Sequence, residues 1–586
     1  ILQNLMLTSL WCHLTKRRQK QFWLILILMI ISSISEIISI SAVLPFLGIL
    51  IAPEQVYQYP LIQPVIQILE ITKPRQLILP LTILFITAAL LAGVIRLTLL
   101  YAMTRLSFAT GADLSINIYR RTLYQEYETH VSRNSSEVIN SIITKTNIVI
   151  GGVLTPVLLL ISSTIMLIGI IGVLFVININ VALIVFIGFG SLYWLVVRYT
   201  KTHLKNNSKI VADQSTQMIK SLQEGLGGIR DVLIDGTQQF YCKLYRNADL
   251  PLRRASGNNQ FISGSPRYVM EAIGMTLIAG FAYVTTQQEN SMVTAIPVLG
   301  ALALGAQKLL PALQQAYGAY SAIKGSKSSF EDVLNLLDQS LPEYAGQPLP
   351  KPIPFAKEIK LNNLNFRYSE DSPWVLKNIN LSLKKGARIG FIGVTGSGKS
   401  TLLDIIMGLL PPTNGKLMID KQPINSQNRR AWQAHIAHVP QNIYLSDSTI
   451  EENIAFGIAK EQIDHQRVKK AAQQAQIAEL IEEWKEGYQT FVGERGIRLS
   501  GGQRQRIGIA RALYKKANVL IFDEATSALD NGTEWEVMKA IEEIGEEITV
   551  LIIAHRLTTL KGCEKIVKLG KKYTVRVGSY QEMINE

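Results

Sequence analysis

The residues whose types and spacing most directly suggest chemistry run from Gly393 to Ser400 and read G-x-x-x-x-G-K-S. They stand between an apolar run and a helix-like run. In that setting glycines let backbone N–H groups close around phosphate oxygens, and a helix N-terminus adds the positive end of its dipole. Lys399 would reach the β- and γ-phosphates, and the Ser400 hydroxyl would ligate Mg²⁺. The pattern predicts a nucleoside triphosphate site formed by Gly393, Thr395, Gly396, Ser397, Gly398, Lys399, Ser400 and Thr401.

Two adjacent carboxylates, Asp523 and Glu524, would supply the remaining need of phosphate hydrolysis. They come directly after the apolar run Val519–Phe522, and such a run is typical of a buried parallel strand. Asp523 is placed to orient Mg²⁺ through water, and Glu524 can polarise an attacking water. Because this strand lies downstream of a phosphate loop, we predict that the chain hydrolyses the nucleotide.

A second anion site is indicated by Leu499–Gln503, which reads L-S-G-G-Q and precedes a helix-like run. A serine and two glycines at a helix start expose N–H groups to an anion. A monomer does not need two phosphate sites of this kind. With this segment, residues 356–586 resemble the nucleotide-binding domain of ATP-binding cassette (ABC) transporters, in which LSGGQ is the family signature. The signature residues that would contact ATP are Ser500, Gly501, Gly502 and Gln503.

The resemblance to ABC transporters implies further roles. Tyr368 would stack on adenine, and Gln441 would contact Mg²⁺ and the surface that couples to the membrane. Asp530 lies in the loop that crosses between two such domains, and His555 would contact the γ-phosphate. The implied catalytic residues are Glu524, His555, Gln441 and Lys399. The implied Mg²⁺ ligands are Ser400, Gln441 and Asp523.

The same resemblance implies a partner chain. In this family the phosphate loop of one chain lies opposite the signature of another, and both halves of that composite site are intact here. A homodimer with two competent sites follows, with ATP and Mg²⁺ as cofactors.

The elements before about residue 325 are apolar blocks too long for the core helices of a soluble domain. The mean hydropathy of the chain is +0.19, and only 18% of its residues are charged. Most blocks have the length that a helix needs to cross a bilayer. The blocks are Phe22–Leu50, Leu77–Tyr101, Gly151–Ile177, Val181–Val197, Val269–Thr285 and Met292–Ala322. They predict six spans, and with them the resemblance extends to an exporter-type half-transporter.

The basic residues predict the orientation of the spans. Lys16, Arg17, Arg18 and Lys20 precede the first block and place the N-terminus in the cytoplasm. The predicted outside loops near 178–180 and 287–291 have no Lys or Arg, whereas Lys73 and Arg75 are an exception in the first outside loop. The net charge of +14 then indicates inside loops that meet anionic lipid, not nucleic acid. We predict a multi-pass protein of the bacterial inner (plasma) membrane with a cytoplasmic nucleotide-binding domain.

The predicted organisation has four parts. Residues 1–20 are expected to form a cytoplasmic amphipathic elbow, and residues 21–325 a six-span helical membrane domain of ABC exporter type with long cytoplasmic extensions. Residues 326–355 are expected to form a linker, which contains the proline-rich stretch Leu341–Pro354. Residues 356–586 form an α/β P-loop nucleotide-binding domain, for which the resemblance implies a RecA-like core and a helical subdomain. The outside segment Leu61–Ile71 fits either an interfacial amphipathic helix or a loop packed on the first two spans.

Three cations within or beside the spans, Arg96, Arg267 and Lys308, suggest a substrate site. A charge at the bilayer centre costs about 2.5–3.5 kcal/mol, so it normally faces a partner or a watery cavity. Arg267 could instead pair with Glu271 one helical turn on, and Arg96 could snorkel or pair locally. Lys308 has no obvious acidic partner on its helix. A cationic cavity would suit a phosphate or pyrophosphate headgroup.

Three segments further resemble bacterial lipid-linked oligosaccharide flippases and exopolysaccharide exporters. They are Gln223–Asp235, Gly305–Pro311 and Pro440–Leu445. The resemblance implies an ATP-driven flippase that moves a lipid-linked (pyrophosphate) oligosaccharide or related glycolipid from the cytoplasmic to the outer side. An exporter of another lipid, a drug or a peptide remains an alternative, as does a non-transport ABC regulator.

Overall fold

The computed structural model describes residues 2–42, 46, 48–50, 53–58, 63–68, 72–177, 179–286, 292–524, 529, 531–543, 547–554, 557–570 and 573–584. The chain divides into two compact units. The first unit comprises Ile1–Gln125 and Ser132–Glu343, and the second comprises Glu126–Val131 and Tyr344–Glu586. We call them the membrane unit and the nucleotide unit.

Residues up to Leu337 are helical wherever the structure assigns regular elements. The helices are α1 Leu2–His13, α2 Lys16–Ser41, α3 Pro53–Tyr57, α4 Gln63–Ile68, α5 Ile78–Leu123, α6 Tyr127–Ser132, α7 Ser135–Asn140, α8 Thr146–Val149, α9 Thr155–Ile177, α10 Ile179–Gly227, α11 Ile229–Ile234, α12 Gln238–Thr286, α13 Met292–Gly325 and α14 Lys327–Leu337. A 3₁₀ turn at Pro74–Leu77 precedes α5, and wide π turns at Ser141–Lys145 and Ile150–Leu154 flank α8.

Three helices are far longer than a membrane is thick. Helix α5 has 46 residues, and α10 and α12 have 49 each. At 1.5 Å per residue each is about 70 Å long, whereas the hydrocarbon core of a bilayer is roughly 30 Å thick. If they cross the bilayer, they therefore continue well beyond it.

Among the described residues, three segments are long and apolar enough to cross a membrane: Lys16–Ser39, Pro74–Leu123 and Ser135–Phe175. The other three predicted blocks fall on α10, α12 and α13, where many side chains lie outside the described residues. The count of six spans therefore stays a prediction. Of the segment Leu61–Ile71, the described part is helix α4, in which Ile66 is buried with Leu77 and Leu81.

Apolar side chains between neighbouring helices form the interior of the membrane unit. Helix α2 packs against α5, α9 against α13, and α12 against both α10 and α13. The predicted elbow contains α1, whose buried Met6 and Leu10 belong to one apolar cluster with Ile118 of α5 and Phe330 of α14. One face of α1 is thus covered by other helices of this unit.

The nucleotide unit contains two sheets, as expected of the predicted α/β fold. The strands are β1 Glu358–Phe366, β2 Leu376–Lys384, β3 Arg388–Gly393, β4 Asn414–Ile419, β5 Gln422–Pro423, β6 Ile436–Val439, β7 Val519–Asp523, β8 Thr549–Ile553, β9 Lys565–Leu569 and β10 Val575–Gly578. The larger helices are α15 Lys399–Ile406, α16 Arg429–Gln433, α17 Ile450–Ile454, α18 His465–Gln474, α19 Ala478–Glu483, α20 Gly501–Tyr514, α21 Asn531–Glu543 and α22 Tyr580–Ile584.

The six-stranded sheet positions the site. Its order is β10-β9-β3-β8-β7-β6, and all neighbours are parallel except β10 and β9. Strands β7 and β8 are almost wholly buried because helices cover both faces. Parallel strands bring their carboxyl ends to one edge of the sheet, where such folds bind ligands. The ends of β3, β6 and β7 therefore meet there.

Candidate functional site

The phosphate loop joins β3 to α15 through backbone conformations that favour glycine. Gly396 and Gly398 have φ values of +82° and +88°, a region that L-residues with a Cβ rarely adopt. A Cβ on Gly398 would also lie 2.8 Å from Leu376 Cδ2. The loop therefore keeps its backbone close to strand β2 and leaves α15 to begin at Lys399.

Lys399 and Ser397 direct polar groups into this loop. The Lys399 ammonium donates to Gly393 O at 2.8 Å and to Val394 O at 3.3 Å. Among the residues that the structure describes, Ser397 Oγ is buried and has no hydrogen-bond partner, which is unusual for a buried polar atom. A phosphate oxygen bound by this loop would accept a hydrogen bond from that hydroxyl. The residues present therefore fit the phosphates of a nucleotide.

Tyr368 lies beside the phosphate loop. Its hydroxyl is 3.0 Å from Thr401 Oγ1, and its ring makes an edge contact with Phe366. The side chain is 43% exposed, so part of its ring remains available for a flat ligand. Ser400 and Thr395 are exposed. These positions agree with an adenine contact at Tyr368 and with a metal contact at Ser400, and both stay predictions.

The structure brings Gln441 and Glu524 together, although they are 83 positions apart in the sequence. Gln441 Nε2 donates to Glu524 Oε2 at 2.7 Å, because β6 and β7 are parallel neighbours in register. Glu524 has a φ of +52°, and its N–H donates to Ile553 O at 3.0 Å. An uncommon backbone conformation of this kind, fixed by its surroundings, is a frequent feature of functional sites. The carboxylate is thus held in one orientation.

Asp404 of α15 is a residue that the sequence analysis missed. Burial and the nearby charge of Asp523 raise the pKa of Asp404 to about 6. It follows Ser400 by one helical turn, and that i, i+4 spacing was the available signal. Hydroxyl and carboxylate oxygens are the ligands that Mg²⁺ prefers, so Ser400 and Asp523 fit a Mg²⁺ ion that also binds nucleotide oxygens. Among the described residues, His, Cys, Asp and Glu form no protein-only metal cluster.

The signature segment starts helix α20 with a reciprocal cap. Gln503 N–H donates to Ser500 Oγ at 3.2 Å, and Ser500 N–H donates to Gln503 Oε1 at 2.8 Å. Gly501 and Gly502 form the first turn, where the N–H groups of a helix lack intrahelical partners. Arg511 fixes the helix to its surroundings by donating to Tyr444 O and Asn453 O. The arrangement can bind an anion supplied from outside the segment.

Three predicted site residues fall outside the described part of the structure. Asp530 and His555 lie outside the described residues, as does the side chain of Lys308 on α13. Their roles stay predictions.

The membrane unit contains a cavity of about 800 Å³ lined by residues of α10, α12 and α13. We call it the central cavity. Arg267 lines it, and Arg267 Nε donates to Glu271 Oε1 at 2.7 Å. The structure therefore shows the local pairing that the sequence analysis left open. Asn259, Gln260 and Gln314 also line this cavity, and the sequence analysis did not single them out.

Arg96 lines a different cavity, of about 360 Å³, between α2, α5 and α9. Its wall includes Ser33, Ser163 and the carboxylate of Glu36, which is buried. Glu36 was missed as well, although an acidic residue inside an apolar block was a readable signal. Gln315 lines both cavities. Arg96 and Arg267 are therefore not gathered around one site.

Comparisons with known proteins agree with this architecture. Residues 376–527 match the family "ABC transporter", and residues 22–295 match the "ABC transporter transmembrane region". An ATP-dependent lipid A-core flippase of Alkalilimnicola ehrlichii is 30% identical over 68% of this chain and 67% of the relative. One of Burkholderia orbicola is 28% identical over 85% of this chain and 83% of the relative.

The fold also resembles a solved structure. A bacterial Atm1-family ABC exporter with ATP bound superimposes with a TM-score of 0.78 at 22% identity, over 97% of this chain and 96% of that one. This likeness concerns the fold alone. The predicted fold class, a helical membrane domain followed by a nucleotide-binding domain, is confirmed. The chain belongs to the ABC transporters, multi-pass membrane proteins that couple ATP hydrolysis in a cytoplasmic domain to transport.

Proposed function

We propose that this ABC transporter is a homodimeric flippase that uses Mg²⁺ and ATP to move a glycolipid or lipid-linked glycan from the cytoplasmic to the outer side of the membrane. The observation that carries the proposal is the central cavity, whose wall is rich in amide and hydroxyl side chains. The relatives support the coarse class, since they are named ATP-dependent lipid A-core flippases at 26–30% identity.

The polarity of the central cavity favours a substrate with a polar headgroup. Polar side chains within a membrane domain are costly unless they have partners. Gln260, Ser263 and Gln314 line the cavity, whereas the outward faces of α5 and α9 carry exposed apolar residues such as Leu90 and Ile168. A substrate with a polar headgroup and an apolar tail would match both surfaces. A wholly apolar drug would leave the amides without partners.

Dimerisation is supported by two incomplete halves of one site. The phosphate loop and the signature segment each carry anion-binding backbone groups, and each has an exposed apolar residue beside it. These residues are Val394, at 54% exposure, and Ile497, at 80% exposure. A second copy of the chain, placed head to tail, would cover both and complete two ATP sites.

The nucleotide site suggests how this chain would perform hydrolysis. Bound Mg²⁺ would neutralise charge on the β- and γ-phosphate oxygens. Ser400, Gln441 and Asp523 would hold it. Glu524, kept in place by Gln441, would accept the proton of the attacking water. His555 would contact the γ-phosphate, and Lys399 would bind the same phosphate as a cation.

Translocation in reconstituted vesicles tests the proposal. A fluorescent polyisoprenyl-pyrophosphate oligosaccharide is incorporated, and its transfer between leaflets is followed with and without Mg²⁺ and ATP. We expect ATP-dependent transfer that Lys399→Ala abolishes. An exporter of a drug or peptide would leave the glycolipid in place but carry another cargo. A preparation that hydrolyses ATP and moves no lipid would favour the regulator alternative and contradict the proposal.

A further inference from the structure

We propose that a second cavity, in the nucleotide unit and separate from the ATP site, binds a small organic bisphosphate. It has a volume of about 520 Å³, and we call it the cationic cavity. Among its lining residues, Lys385 precedes β3, Asn518 precedes β7 and Ile548 precedes β8. The cavity therefore lies at the amino ends of the parallel strands. The phosphate loop and Glu524 follow the carboxyl ends of β3 and β7, so the two sites occupy opposite edges of one sheet.

The first observation is that basic side chains from three separate segments line the cationic cavity. One face of α18, the turn between β2 and β3, and the segment after α20 contribute them: Arg467, Lys470, Lys385 and Lys516. Among the described residues that line the cavity, Glu547 is the only acidic one. A cleft lined mainly by one sign of charge concentrates the opposite sign. Because the cations come from more than one wall, they suit a ligand with two anionic groups.

The second observation is that little of this positive charge is used within the protein. Lys385 Nζ lies 3.9 Å from Glu547 Oε2, but the side chain of Glu547 is 93% exposed, and exposed ion pairs contribute little. Lys470 and Lys516 are exposed, and neither forms an ion pair with a residue that the structure describes. These two ammonium groups are therefore free to bind an anion that enters the cavity.

The third observation concerns Arg467, which is held in one orientation and keeps a donor without a partner. Its guanidinium carbon lies 4.4 Å from the centre of the Tyr514 ring, and its Nη2 donates to Tyr514 O. Stacking on an aromatic ring pre-organises this planar group. Among the described residues, Arg467 Nε is buried and has no hydrogen-bond partner, which is unusual for a buried polar atom. A guanidinium with an unused donor at a cavity wall fits a phosphate oxygen.

The floor of the cationic cavity is apolar and consists largely of small side chains, which favours an organic ligand. Ala471, Ala512 and Ala517 line it together with Leu520, and all four are buried. Alanines leave space that longer side chains would fill. The carbon skeleton of an organic phosphate could occupy this space while its phosphates contact the basic residues. The cavity also has the size of known small-molecule sites, which measure roughly 300–1,000 Å³.

Calorimetric titration of the full-length protein tests the proposal. The ATP sites are first saturated with Mg²⁺ and a non-hydrolysable ATP analogue, so that a phosphate compound cannot occupy them. The probe is fructose 1,6-bisphosphate, and unphosphorylated fructose is the neutral control. We expect saturable binding of the bisphosphate that weakens as the salt concentration rises, and no binding of fructose.

Matched variants of α18 locate the bound probe. Lys470→Gln removes a cation that lines the cationic cavity, whereas Lys469→Gln removes an exposed neighbour that does not line it. Because a hydrogen bond to a charged group is lost, we expect roughly tenfold weaker binding in Lys470→Gln and a further loss in Lys470→Gln/Lys516→Gln. Lys469→Gln should bind like the unaltered protein. All three lysines are exposed, so the melting temperature without the probe should not change.

Three results would overturn the proposal. The bisphosphate could fail to bind, or Lys470→Gln and Lys469→Gln could bind it equally, which would assign the attraction to the general surface charge. A capped tetraglutamate peptide could also bind more tightly than the bisphosphate, which would favour an acidic protein partner. Each result is independent of the proposed flippase function, because glycolipid transfer is measured separately and its failure would leave this site in place.

Discussion

The nucleotide unit and the membrane unit hold their functional side chains by different means. In the nucleotide unit the side chains follow the ends of parallel strands, and the hydrogen-bond ladder of the sheet sets their separation. Gln441 Nε2 consequently lies 2.7 Å from Glu524 Oε2. In the membrane unit the side chains project from long helices, whose rotation and lateral packing decide which of them share a cavity. Arg96 and Arg267 consequently line different cavities. Short motifs therefore locate the first kind of site better than the second.

The largest effect in the nucleotide unit is expected from Glu524→Gln, which tests whether this carboxylate activates water. Loss of a general base typically lowers a rate by about 10²–10⁴-fold, and the amide keeps the shape of the side chain. We expect ATP binding to remain while the steady-state ATPase rate falls by at least about a hundredfold. Near-normal hydrolysis would show that another group activates the water.

A smaller effect is expected from Gln441→Leu, which removes the hydrogen bond to Glu524. A hydrogen bond to a charged group contributes about 1.5–3 kcal/mol, so we expect the ATPase rate to fall roughly 10- to 100-fold. Asn442→Ala, at the neighbouring exposed position, is the matched control and should retain the rate. Equal losses in both variants would indicate a general effect of the loop and not the contact with Glu524.

The phosphate loop can be tested through stability by comparing two glycines. Gly396 and Gly398 both have positive φ, but only a Cβ on Gly398 would meet another residue within 4 Å. Alanine at either position has a conformational cost of about 1–2 kcal/mol, and overpacking adds about 1–3 kcal/mol at Gly398. The melting temperature should therefore fall further for Gly398→Ala than for Gly396→Ala. The reverse order would contradict the close packing of Gly398 against strand β2.

On the membrane side, paired substitutions test whether Arg267 acts as an isolated cation. Because Arg267 is paired with Glu271, we expect the double variant Arg267→Gln/Glu271→Gln to keep glycolipid transfer within about twofold, since exposed ion pairs contribute little. Arg267→Gln alone leaves one carboxylate beside the cavity, and it should transfer less. If the double variant is as impaired as the single variant, the cation itself engages the substrate.

The smallest expected effect is a pH dependence from His438, on β6 near Gln441. Burial lowers the pKa of His438 below its usual 6.5, so the folded state keeps the ring neutral. As the pH falls through about 6.5, the unfolded chain takes up a proton and the folded chain does not, so stability is lost on acidification. We expect His438→Met to reduce the decrease in melting temperature between pH 7.5 and pH 5.5 by a few degrees. An unchanged decrease would exclude this histidine as a contributor.

Particular residues show how far sequence reasoning reached. The phosphate loop, the Asp523–Glu524 pair and the signature were readable because each is a contiguous segment with one local geometry. Asp404 and Glu36 were missed because each is a single carboxylate, and only its neighbours in the folded structure indicate a functional role. The polar side chains of α12 that line the central cavity had a signal, the recurrence of Ser256, Gln260 and Ser263 at helical spacing, but only the packing of α13 against this helix encloses a cavity.

By itself, the sequence determined the family, the apolar blocks and the local backbone of the nucleotide loops, since these depend on residues a few positions apart. The tertiary structure decided which residues meet: Gln441 meets Glu524 across two strands, and Asn259 of α12 packs against Gly325 of α13. It also showed that Arg267 is neutralised within the cavity it lines. The physical reason is that backbone propensity and residue spacing depend on neighbours along the chain. The charge and shape of a cavity depend on side chains from several helices, and only packing brings those helices together.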